Sequence, residues 1–425
     1  MIKELYSLFQ NSSGISTDTR NITPNSLFFA LKGERFNANK FAEQALEKGA
    51  SYAIVDEKEH QTKQQIILVD DVLKTLQDLA TYHRKKLGLP IIALTGSNGK
   101  TTTKELINTV LSQKFKTKAT LGNLNNHIGV PLTLLTMDKN TKIGIVEMGA
   151  NHPKEIEFLC KIAHPDYGYI TNFGKAHLEG FGSIDGVIKA KTELYAYLKK
   201  HHKTVFVNAN DSTQLEKAKT VQQISFGTKN ADYPIELISA NPFVKIKFED
   251  TIANSNMIGL YNYNNIAAAI AIGKYFKVTN SEIKSAIENY IPTNNRSQII
   301  QKKNVKIILD AYNANPSSMQ SAIANFKQLS DSKKIIILGD MFELGKYAKE
   351  EHQNIVNLLS DSHFTKVFLI GENFKSVTAK NNNIVFLKDF KAFKDQFNKE
   401  TFNNATILIK ASRGMALERI VTLFD

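Results

Sequence analysis

The sequence Leu94-Thr95-Gly96-Ser97-Asn98-Gly99-Lys100-Thr101-Thr102 joins an apolar run, Ile91–Leu94, to a segment with a helical pattern. An apolar strand that leads into two glycines, Lys-Thr and a helix is the arrangement of a phosphate-binding loop. The glycines let backbone N–H groups surround a phosphate, the lysine meets the outer phosphates, and the threonine hydroxyl can ligate Mg²⁺. The helix that follows directs its positive N-terminus at the anion.

This loop departs from the usual phosphate-loop pattern at one position, because Leu94 stands where the pattern has glycine. A glycine-rich turn that only caps a strand is the alternative interpretation. The order of strand, Gly-Lys-Thr and helix favours a nucleoside triphosphate site. The residues predicted to bind it are Gly96, Ser97, Asn98, Gly99, Lys100, Thr101 and Thr102.

The chain beyond the loop alternates short apolar runs with helical patterns. Each run is rich in β-branched or aromatic residues and leads into a polar or glycine-containing segment. This alternation predicts a parallel sheet with crossover helices, in which ligands bind at the carboxyl ends of the strands. Besides Ile91–Leu94, the predicted strands are Ile143–Met148, Tyr167–Thr171 and Val205–Val207.

Two further α/β blocks flank this central one. The first has predicted strands at Ser26–Leu31, Tyr52–Val55 and Ile66–Val69, with helices at Phe41–Lys48 and Val72–Lys86 before a stop at Gly88 and Pro90. The last begins near Arg296, with strands at Val305–Leu309, Ile335–Leu338, Val367–Ile370 and Ile407–Ile409. The predicted fold class is α/β, with three domains, a central P-loop-type parallel sheet and a Rossmann-like C-terminal domain. The predicted domains are residues 1–87, 88–293 and 294–425.

Composition excludes several classes of protein. The 425 residues are 42% hydrophobic and 22% charged, which is typical of a soluble globular chain. The one cysteine, Cys160, allows no internal disulfide and fits a reducing compartment. No apolar stretch approaches the ~20 residues of a membrane span, so we expect a cytoplasmic protein without integral membrane association. The net charge of +13 comes from lysines spread along the chain, which suits phosphate-bearing substrates better than nucleic acid.

Polar residues follow two of the central strands. Glu147 ends one strand and could bind Mg²⁺, although a solvated glutamate is the alternative. His177 follows the next strand and could be a second metal ligand or an ordinary surface histidine. Lys189 and Lys191 lie in a helical pattern, where a solvated helix face is the simplest interpretation.

The motifs found along almost the whole chain together resemble those of the Mur ligases, the ATP-dependent enzymes that build the peptide stem of peptidoglycan. They are Ser16–Arg20, Phe28–Gly33, the phosphate loop, Gly122–Pro131, Glu147–His152, Asn172–Gly182, Lys189–Glu193, Gly259–Asn265, Asp310–Pro316, Leu338–Gly345, His352 and Lys410–Met415.

The resemblance implies a role for each matching residue near ATP. Lys100 and Thr101 would hold the β/γ-phosphates and a first Mg²⁺ that Glu147 also binds. His177 would help to bind a second Mg²⁺, and Lys191 matches the family's carbamylated lysine, which is a metal ligand. The residues that match adenine-, γ-phosphate- and ribose-binding positions are Asn262 and Asn265, Arg296, and Asp310. Tyr261 stands where the family usually has histidine.

The resemblance also implies where the other substrates bind. Ser16, Asp18 and Arg20 match positions that bind the uridine nucleotide of the acceptor, and Asn125 and Asn126 match positions that meet its muramoyl-peptide part. Lys32 is a further residue expected to bind substrate. The last domain would bind the incoming dipeptide, and its matching residues are Tyr312, Asn313, Asn315, Ser412 and Arg413.

The implied reaction adds D-alanyl-D-alanine to UDP-N-acetylmuramoyl-tripeptide through an acyl-phosphate and releases ADP and phosphate. The motifs Asp310–Pro316 and Asp340–Gly345 favour this dipeptide-adding activity, since the Asp-Asn-Pro-Arg box of a sibling that adds a diamino acid is missing. Lys100, Lys191, His177 and Arg296 would be catalytic, with two Mg²⁺ ions as countercharge. We expect a monomer in which the last domain closes about a hinge at Tyr290–Ser297. His352 is one candidate for the base that deprotonates the dipeptide amine.

Two other functions fit parts of the pattern. A folylpolyglutamate synthase would share the ligase chemistry, but it would not need the uridine motif Ser16–Arg20. A regulatory ATPase would use the phosphate loop without forming an amide, and its ATP turnover would not depend on an acceptor.

Overall fold

The computed structural model describes residues 1–228 and 230–425. Three sheets of four, nine and six strands follow one another along these residues, and a two-stranded hairpin accompanies the first. Among the helices of this described part, none combines the length and apolar character needed to cross a bilayer. The predicted α/β class with a central P-loop-type sheet is confirmed. The exact domain boundaries stay a prediction.

The first sheet is parallel throughout, in the order β1-β2-β5-β6. Its strands and those of the hairpin β3-β4 are β1 (Ile15–Ser16), β2 (Leu27–Phe29), β3 (Lys32–Gly33), β4 (Phe36–Asn37), β5 (Tyr52–Val55) and β6 (Ile66–Leu68). The helices are α1 (Ile2–Gln10), α2 (Ala42–Glu47) and α3 (Val72–Leu87), with 3₁₀ turns at Ala38–Phe41 and Lys58–His60. The three strands and two helices expected here are confirmed.

Helix α3 joins the first sheet to the central one. Its start is capped by the Asp71 side chain, and it ends at Gly88, which has a left-handed φ of 62°. His83 lies on the buried face of α3, with its Nδ1 3.3 Å from the Tyr6 hydroxyl and its Nε2 2.8 Å from the carbonyl oxygen of Met137. The helix thus fixes the first sheet against the middle of the molecule.

The central sheet has the order β15-β14-β13-β12-β11-β10-β7-β9-β8. Its strands are β7 (Ile91–Thr95), β8 (Thr117–Ala119), β9 (Ile143–Glu147), β10 (Tyr167–Ile170), β11 (Thr204–Asn208), β12 (Gln222–Gly227), β13 (Tyr233–Ser239), β14 (Phe243–Phe248) and β15 (Thr251–Ile258). Its helices are α4 (Lys100–Leu111), α5 (Gly129–Leu135), α6 (Glu155–Ala163), α7 (Leu178–Phe181), α8 (Ile184–Lys191), α9 (Glu193–Lys200), α10 (Ser212–Ala218), α11 (Tyr261–Tyr275) and α12 (Asn280–Asn289).

Two parts of the central sheet differ in character. Strands β7, β9 and β11 are buried along their full length, as expected for parallel strands covered by helices on both faces. Strands β13 to β15 are instead an antiparallel extension that the sequence analysis missed. In β15 exposed and buried residues alternate, so one face is solvated and no continuous apolar run marks the strand.

Cys160 lies in α6, fully buried beneath the central sheet. Its Sγ is 3.8 Å from the Sδ of Met148. Burial raises the pKa of the Cys160 thiol well above its usual range. The side chain therefore packs as a small apolar group.

The third sheet has the order β16-β17-β21-β18-β19-β20, with only β16 antiparallel to its neighbour. Its strands are β16 (Gln298–Lys302), β17 (Val305–Asp310), β18 (Lys334–Gly339), β19 (Lys366–Ile370), β20 (Ile384–Leu387) and β21 (Thr406–Lys410). Its helices are α13 (Pro316–Gln328), α14 (Ala348–Ser360), α15 (Glu372–Lys375), α16 (Phe390–Asp395) and α17 (Lys399–Phe402), with 3₁₀ turns at Gly345–Tyr347, Arg413–Met415 and Leu417–Phe424.

Candidate active site

The glycine-containing turn between β7 and α4 has the geometry expected of a phosphate loop. Gly96 and Gly99 have φ values of 145° and 78°, which side chains with a Cβ rarely adopt. The turn is held from the neighbouring strand end, where the Asn98 N–H donates to Asn172 Oδ1 at 3.0 Å. A Cβ on Gly99 would lie 2.6 Å from Asn265 Oδ1. The backbone conformation and this close approach therefore favour glycine at position 99.

Lys100 and Thr101 begin helix α4 directly after this turn. The Lys100 ammonium donates to the carbonyl oxygens of Gly96 at 2.7 Å and Ser97 at 3.2 Å. Burial lowers the pKa of Lys100, and the nearby carboxylate of Glu147 opposes that shift. A positive group, backbone N–H groups and a helix N-terminus thus converge on one side of the loop.

Glu147 closes β9 opposite the loop and is 1% exposed, so the solvated alternative is wrong. Its Oε1 accepts hydrogen bonds from Asn125 Nδ2 at 2.8 Å and from Thr101 Oγ1 at 3.3 Å. Its Oε2 is buried and has no hydrogen-bond partner among the described residues. A buried carboxylate oxygen beside a threonine hydroxyl is the hard donor set that Mg²⁺ prefers, so these residues fit the ion.

Lys191 is the last residue of α8 and is fully buried, so the solvated-face alternative is wrong for this lysine. Its Nζ donates to the carbonyl oxygen of Ala150 at 3.3 Å and lies 5.2 Å from the centroid of the Phe181 ring. Burial, and then the charge of Lys100, hold the pKa of Lys191 well below its usual range. Its surroundings therefore disfavour the protonated form of the amine. Lys189, two residues earlier, is exposed.

His177 follows β10 and lines the same cavity as the loop, with a left-handed φ of 52°. Its Nδ1 lies 2.6 Å from Oε2 of Glu343, which belongs to the part of the chain that carries the third sheet. The contact with His177 holds the pKa of Glu343 below its usual range. Glu343 lies in the motif Leu338–Gly345, but the sequence alone predicted no role for this residue.

Arg296 enters the cavity from the segment that leads into the third sheet. Its guanidinium carbon lies 3.7 Å from the centroid of the Tyr312 ring. Asp310, at the end of β17, accepts a hydrogen bond from the Ser297 N–H at 3.1 Å and pairs with Lys410 at 2.6 Å. Lys410 is 2% exposed and, like Glu343, was given no role from the sequence.

The two asparagines expected at adenine are buried behind the loop. Asn265 accepts from the Thr103 hydroxyl at 3.0 Å and donates to Asn262 Oδ1 at 2.8 Å. Asn262 in turn donates to the carbonyl oxygen of Ile258 at 2.8 Å. Both side chains also line the cavity, beside Tyr261. Their contacts support the shape of the loop, and contact with adenine stays a prediction.

The residues expected to bind the muramoyl peptide and the dipeptide also meet at this place. Asn126 Oδ1 accepts hydrogen bonds from the N–H groups of Ile128 and Gly129 at the start of α5. Asn315 Nδ2 donates to Asn98 Oδ1 at 2.7 Å, which joins the third sheet to the phosphate loop. The others that line the cavity are Asn125, Tyr312, Asn313 and Arg413. Ser412 is buried beside it, where its Oγ accepts from the Phe342 N–H at 2.9 Å.

One cavity of about 800 Å³ contains most of these groups. It is lined by Ser97, Asn98, Gly99, Lys100, Thr101, Thr102, Glu147, His177, Asn262, Asn265, Arg296 and Asp310, together with Asn172, Ser317, Glu343 and Lys410, which the sequence analysis did not assign. Gly96 and Lys191 lie next to this lining rather than in it. The central and third sheets therefore share one site.

The predicted uridine residues lie in the first part of the chain, outside this cavity lining. Asp18 and Arg20 are exposed and pair with each other at 2.6 Å, which lowers the pKa of Asp18 to about 2. Ser16 is buried, with its hydroxyl 2.9 Å from that of Ser26. Lys32 pairs with Asp56 at 2.9 Å. Uridine binding by these residues stays a prediction.

His352 is a poor candidate for the base that deprotonates the dipeptide amine. It is fully buried in α14. Its Nε2 accepts a hydrogen bond from the Met341 N–H at 3.1 Å, and its Nδ1 donates to the carbonyl oxygen of Ala348 at 2.6 Å. Because both ring nitrogens are occupied, the histidine holds a loop in place instead of facing a substrate.

Comparison with known proteins agrees with this arrangement. Family models described as the Mur ligase family catalytic domain, the Mur ligase middle domain and the Mur ligase glutamate ligase domain match residues 11–84, 94–273 and 295–413. The chain belongs to the Mur ligase family. As a Mur ligase it is an ATP-dependent ligase, so the resemblance seen in the sequence is confirmed.

Full-length relatives of this Mur ligase share its whole architecture. The Bacillus subtilis protein named UDP-N-acetylmuramoyl-tripeptide–D-alanyl-D-alanine ligase is 37% identical, over 96% of this chain and 92% of its own. A crystal structure of MurF from Acinetobacter baumannii superposes with a TM-score of 0.87 at 30% identity, covering 98% of this chain and 97% of the other. MurF from Thermotoga maritima, solved with ADP, gives a TM-score of 0.83 at 27% identity with the same coverage.

Proposed function

We propose that the chain adds D-alanyl-D-alanine to UDP-N-acetylmuramoyl-tripeptide, using ATP and releasing ADP and phosphate. The proposal extends to a cytoplasmic, monomeric enzyme of peptidoglycan precursor synthesis. The observation that carries it is the shared cavity, in which a phosphate loop faces polar residues of the third sheet. The name of the Bacillus subtilis relative, which is similar along nearly the full length, supports the same substrates.

The chemistry requires an activated carboxylate, because oxide does not leave a free carboxylate when an amine attacks. The acceptor carboxylate attacks the γ-phosphorus of ATP, the bond from that phosphorus to the β–γ bridging oxygen breaks, and an acyl-phosphate and ADP form. The dipeptide amine, without its extra proton, then attacks the acyl carbon, and phosphate leaves as the amide forms. Both steps develop negative charge on phosphoryl oxygens, so catalysis depends on positioning and countercharge.

This chain's own groups supply that countercharge from two sides. Lys100 and the N-terminus of α4 approach the phosphates from the central sheet, and Arg296 approaches from the third. Thr101 and Glu147 would hold a Mg²⁺ ion, which shields the triphosphate from the anionic carboxylate when bound. Asp310 is paired with Lys410, and the proposal assigns the Asp310 carboxylate to the ribose.

Lys191 serves this site as a carbamate in the proposal. A neutral lysine amine adds to CO₂, and loss of one proton leaves N-linked carboxylate, so the residue changes from a potential cation to an anion. The burial that lowers the pKa of Lys191 supports this reaction, because a protonated amine has no lone pair to attack with. His177 and the carbamate would then hold a second Mg²⁺.

The test is a coupled assay of ADP release with mass spectrometry of the product. We expect ADP release to require both the UDP-linked tripeptide and D-alanyl-D-alanine, with a product heavier than the acceptor by one dipeptide residue. Turnover with free amino acids in place of the dipeptide would overturn the substrate assignment. ATP turnover that needs no acceptor would indicate a regulatory ATPase instead.

A further inference from the structure

Glu343 contacts the segment His177–Glu179, which follows strand β10, at two points. The side chains meet with Oε2 of Glu343 2.6 Å from Nδ1 of His177. The backbones meet two residues further along, where the Glu179 N–H donates to the Glu343 carbonyl oxygen at 3.1 Å. A residue held by both its carboxylate and its carbonyl oxygen is oriented far more tightly than one held by a flexible side chain alone.

The backbone at both residues has an uncommon conformation. His177 and Glu343 have left-handed φ values of 52° and 61°, and neither is a glycine. Such positions cost of order 1 kcal/mol or more and persist where the surroundings determine them, often at functional sites. Gly345, also left-handed, brings its backbone against the Glu179 side chain. The conformation therefore serves the contact between the two segments.

The loop that carries Glu343 is anchored on its own side by four further hydrogen bonds. The Asp340 carboxylate accepts from the N–H groups of Asn373 and Phe374, each at 3.0 Å. His352 accepts from the Met341 N–H, and Ser412 accepts from the Phe342 N–H. Glu343 is consequently presented to the central sheet at a fixed place as the next residue of a rigid loop.

We propose that Glu343 is a positioning residue whose carboxylate, in contact with Nδ1, fixes the His177 ring, so that the Nε2 lone pair is left for a divalent cation. The inference rests on the metal role given to His177 in the proposed function. A histidine ligand needs its other ring nitrogen to donate to a fixed acceptor, which sets the tautomer and the ring orientation. Because Glu343 comes from the third sheet, the histidine is set only when that sheet is docked on the central one.

Three observations favour this role over a simple surface ion pair. The carboxylate approaches the ring nitrogen at 2.6 Å, both residues line the active-site cavity, and the Glu343 carbonyl oxygen also accepts a hydrogen bond from the Glu179 N–H. Docking of the third sheet would then do more than deliver Arg296 and Asp310. It would also complete a metal ligand that belongs to the central sheet.

The first experiment measures Mn²⁺ affinity in the presence of ADP, by electron paramagnetic resonance, on the full-length enzyme. We expect Glu343→Ala to weaken Mn²⁺ binding about 10- to 100-fold, close to the effect of His177→Ala, with no further loss in the double variant. Glu343→Gln keeps a carbonyl acceptor and should lose less than about fivefold. Glu350→Gln, an exposed glutamate nearby in α14, is the matched control and should match the wild type.

The second experiment measures the tautomer of the His177 imidazole by NMR. Long-range ¹H–¹⁵N spectra of the histidine rings should show the Nδ1–H tautomer for His177, and a tautomer mixture in Glu343→Ala. Mn²⁺ affinity within twofold of wild type in Glu343→Ala, or a mixed tautomer in the wild type, would overturn the inference. So would a selective rise in KM for D-alanyl-D-alanine with unchanged Mn²⁺ affinity, which would assign Glu343 to the dipeptide ammonium group.

The two proposals can fail separately. If no amide product forms but the Mn²⁺ and tautomer effects appear, the positioning role stands and the substrate assignment falls. If the amide forms and Glu343→Ala binds Mn²⁺ normally, the ligase stands and the positioning role falls.

Discussion

The central guanidinium carbon of Arg296 lies over the ring of Tyr312, 3.7 Å from the ring centroid. The Nε of Arg296 is buried and has no hydrogen-bond partner among the described residues. The aromatic ring is therefore the main support of this side chain, and it leaves the outer guanidinium N–H groups available to an anion. We therefore predict that Tyr312 affects ATP binding through Arg296.

Substitutions of Tyr312 separate that support from direct contact with substrate. Tyr312→Phe keeps the aromatic face, so we expect kcat/KM for ATP to stay within about twofold. Tyr312→Ala removes a cation–π contact worth ~1 kcal/mol and should lower kcat/KM for ATP by about fivefold. Steady-state kinetics with varied ATP provides the measurement. Equal losses in the two variants would show that the hydroxyl, and not the ring, matters.

Replacement of Lys191 tests its proposed conversion to a carbamate. Lys191→Ala should reduce kcat by at least ~100-fold, since it removes a charged group from the reacting centre, and short carboxylates such as acetate should restore part of the rate. With ¹³C-labelled bicarbonate, the wild type should give a carbamate signal that Lys191→Ala lacks. Lys189→Ala removes an exposed lysine of the same helix and should behave as wild type. Full activity of Lys191→Ala would exclude the carbamate.

Gly99 of the phosphate loop can be compared with Gly88, which has open space where a Cβ would lie. Gly99→Ala and Gly88→Ala each place a Cβ on a left-handed backbone, with a cost of about 1 kcal/mol. Only Gly99→Ala also brings the Cβ within 2.6 Å of Asn265 Oδ1. We expect lower Tm in both, and a rise of at least tenfold in KM for ATP in Gly99→Ala alone. Normal ATP kinetics in that variant would mean that the loop tolerates displacement.

Lys175 and Glu351 form an ion pair between the central and third parts of the molecule, with 2.6 Å between Nζ and Oε1. Glu351 is 3% exposed, so Lys175→Met leaves a buried carboxylate uncompensated. The cost should lie between ~0.5 kcal/mol for an exposed pair and ~3 kcal/mol for a buried one, because the lysine is half-exposed. The double variant with Glu351→Gln should recover part of it.

A thermal-unfolding comparison of the four members of this cycle measures the coupling. Lys349→Met removes an exposed lysine from α14 and provides the control for a lost surface charge. A Tm for Lys175→Met equal to that of the control would mean that water already screens the pair. A double variant less stable than Lys175→Met would show that Glu351 has a second partner.

Features encoded by neighbouring residues were the ones the sequence could predict. Strand β7, the glycine turn and helix α4 are continuous in the chain, and glycine positions follow directly from the turn they must make. Helix α3 was also predictable, because Asp71 and Gly88 mark its two ends. The buried parallel strands could be predicted because each is a short apolar run in the sequence.

Features that depend on distant segments were not predictable from one sequence. The antiparallel strands β13 to β15 carry polar residues on a solvated face, so they lack the apolar run that marked the other strands. Glu343 meets His177 only because two sheets dock, and no local pattern joins them. The helical pattern alone places Lys191 on a solvated helix face, whereas the packing of α8 buries it fully. Burial of a charged side chain is a tertiary property that composition and periodicity do not record.

The burial of Cys160 has a practical consequence for following how the two sheets move. The chain has no other cysteine, and a thiol that is sealed in the core and resists ionisation will react slowly with maleimides. Two cysteines introduced at exposed positions, one on each side of the cavity, could thus be labelled with a dye pair without first removing the native thiol. Single-molecule energy transfer would then report the distance between the sheets through each catalytic cycle.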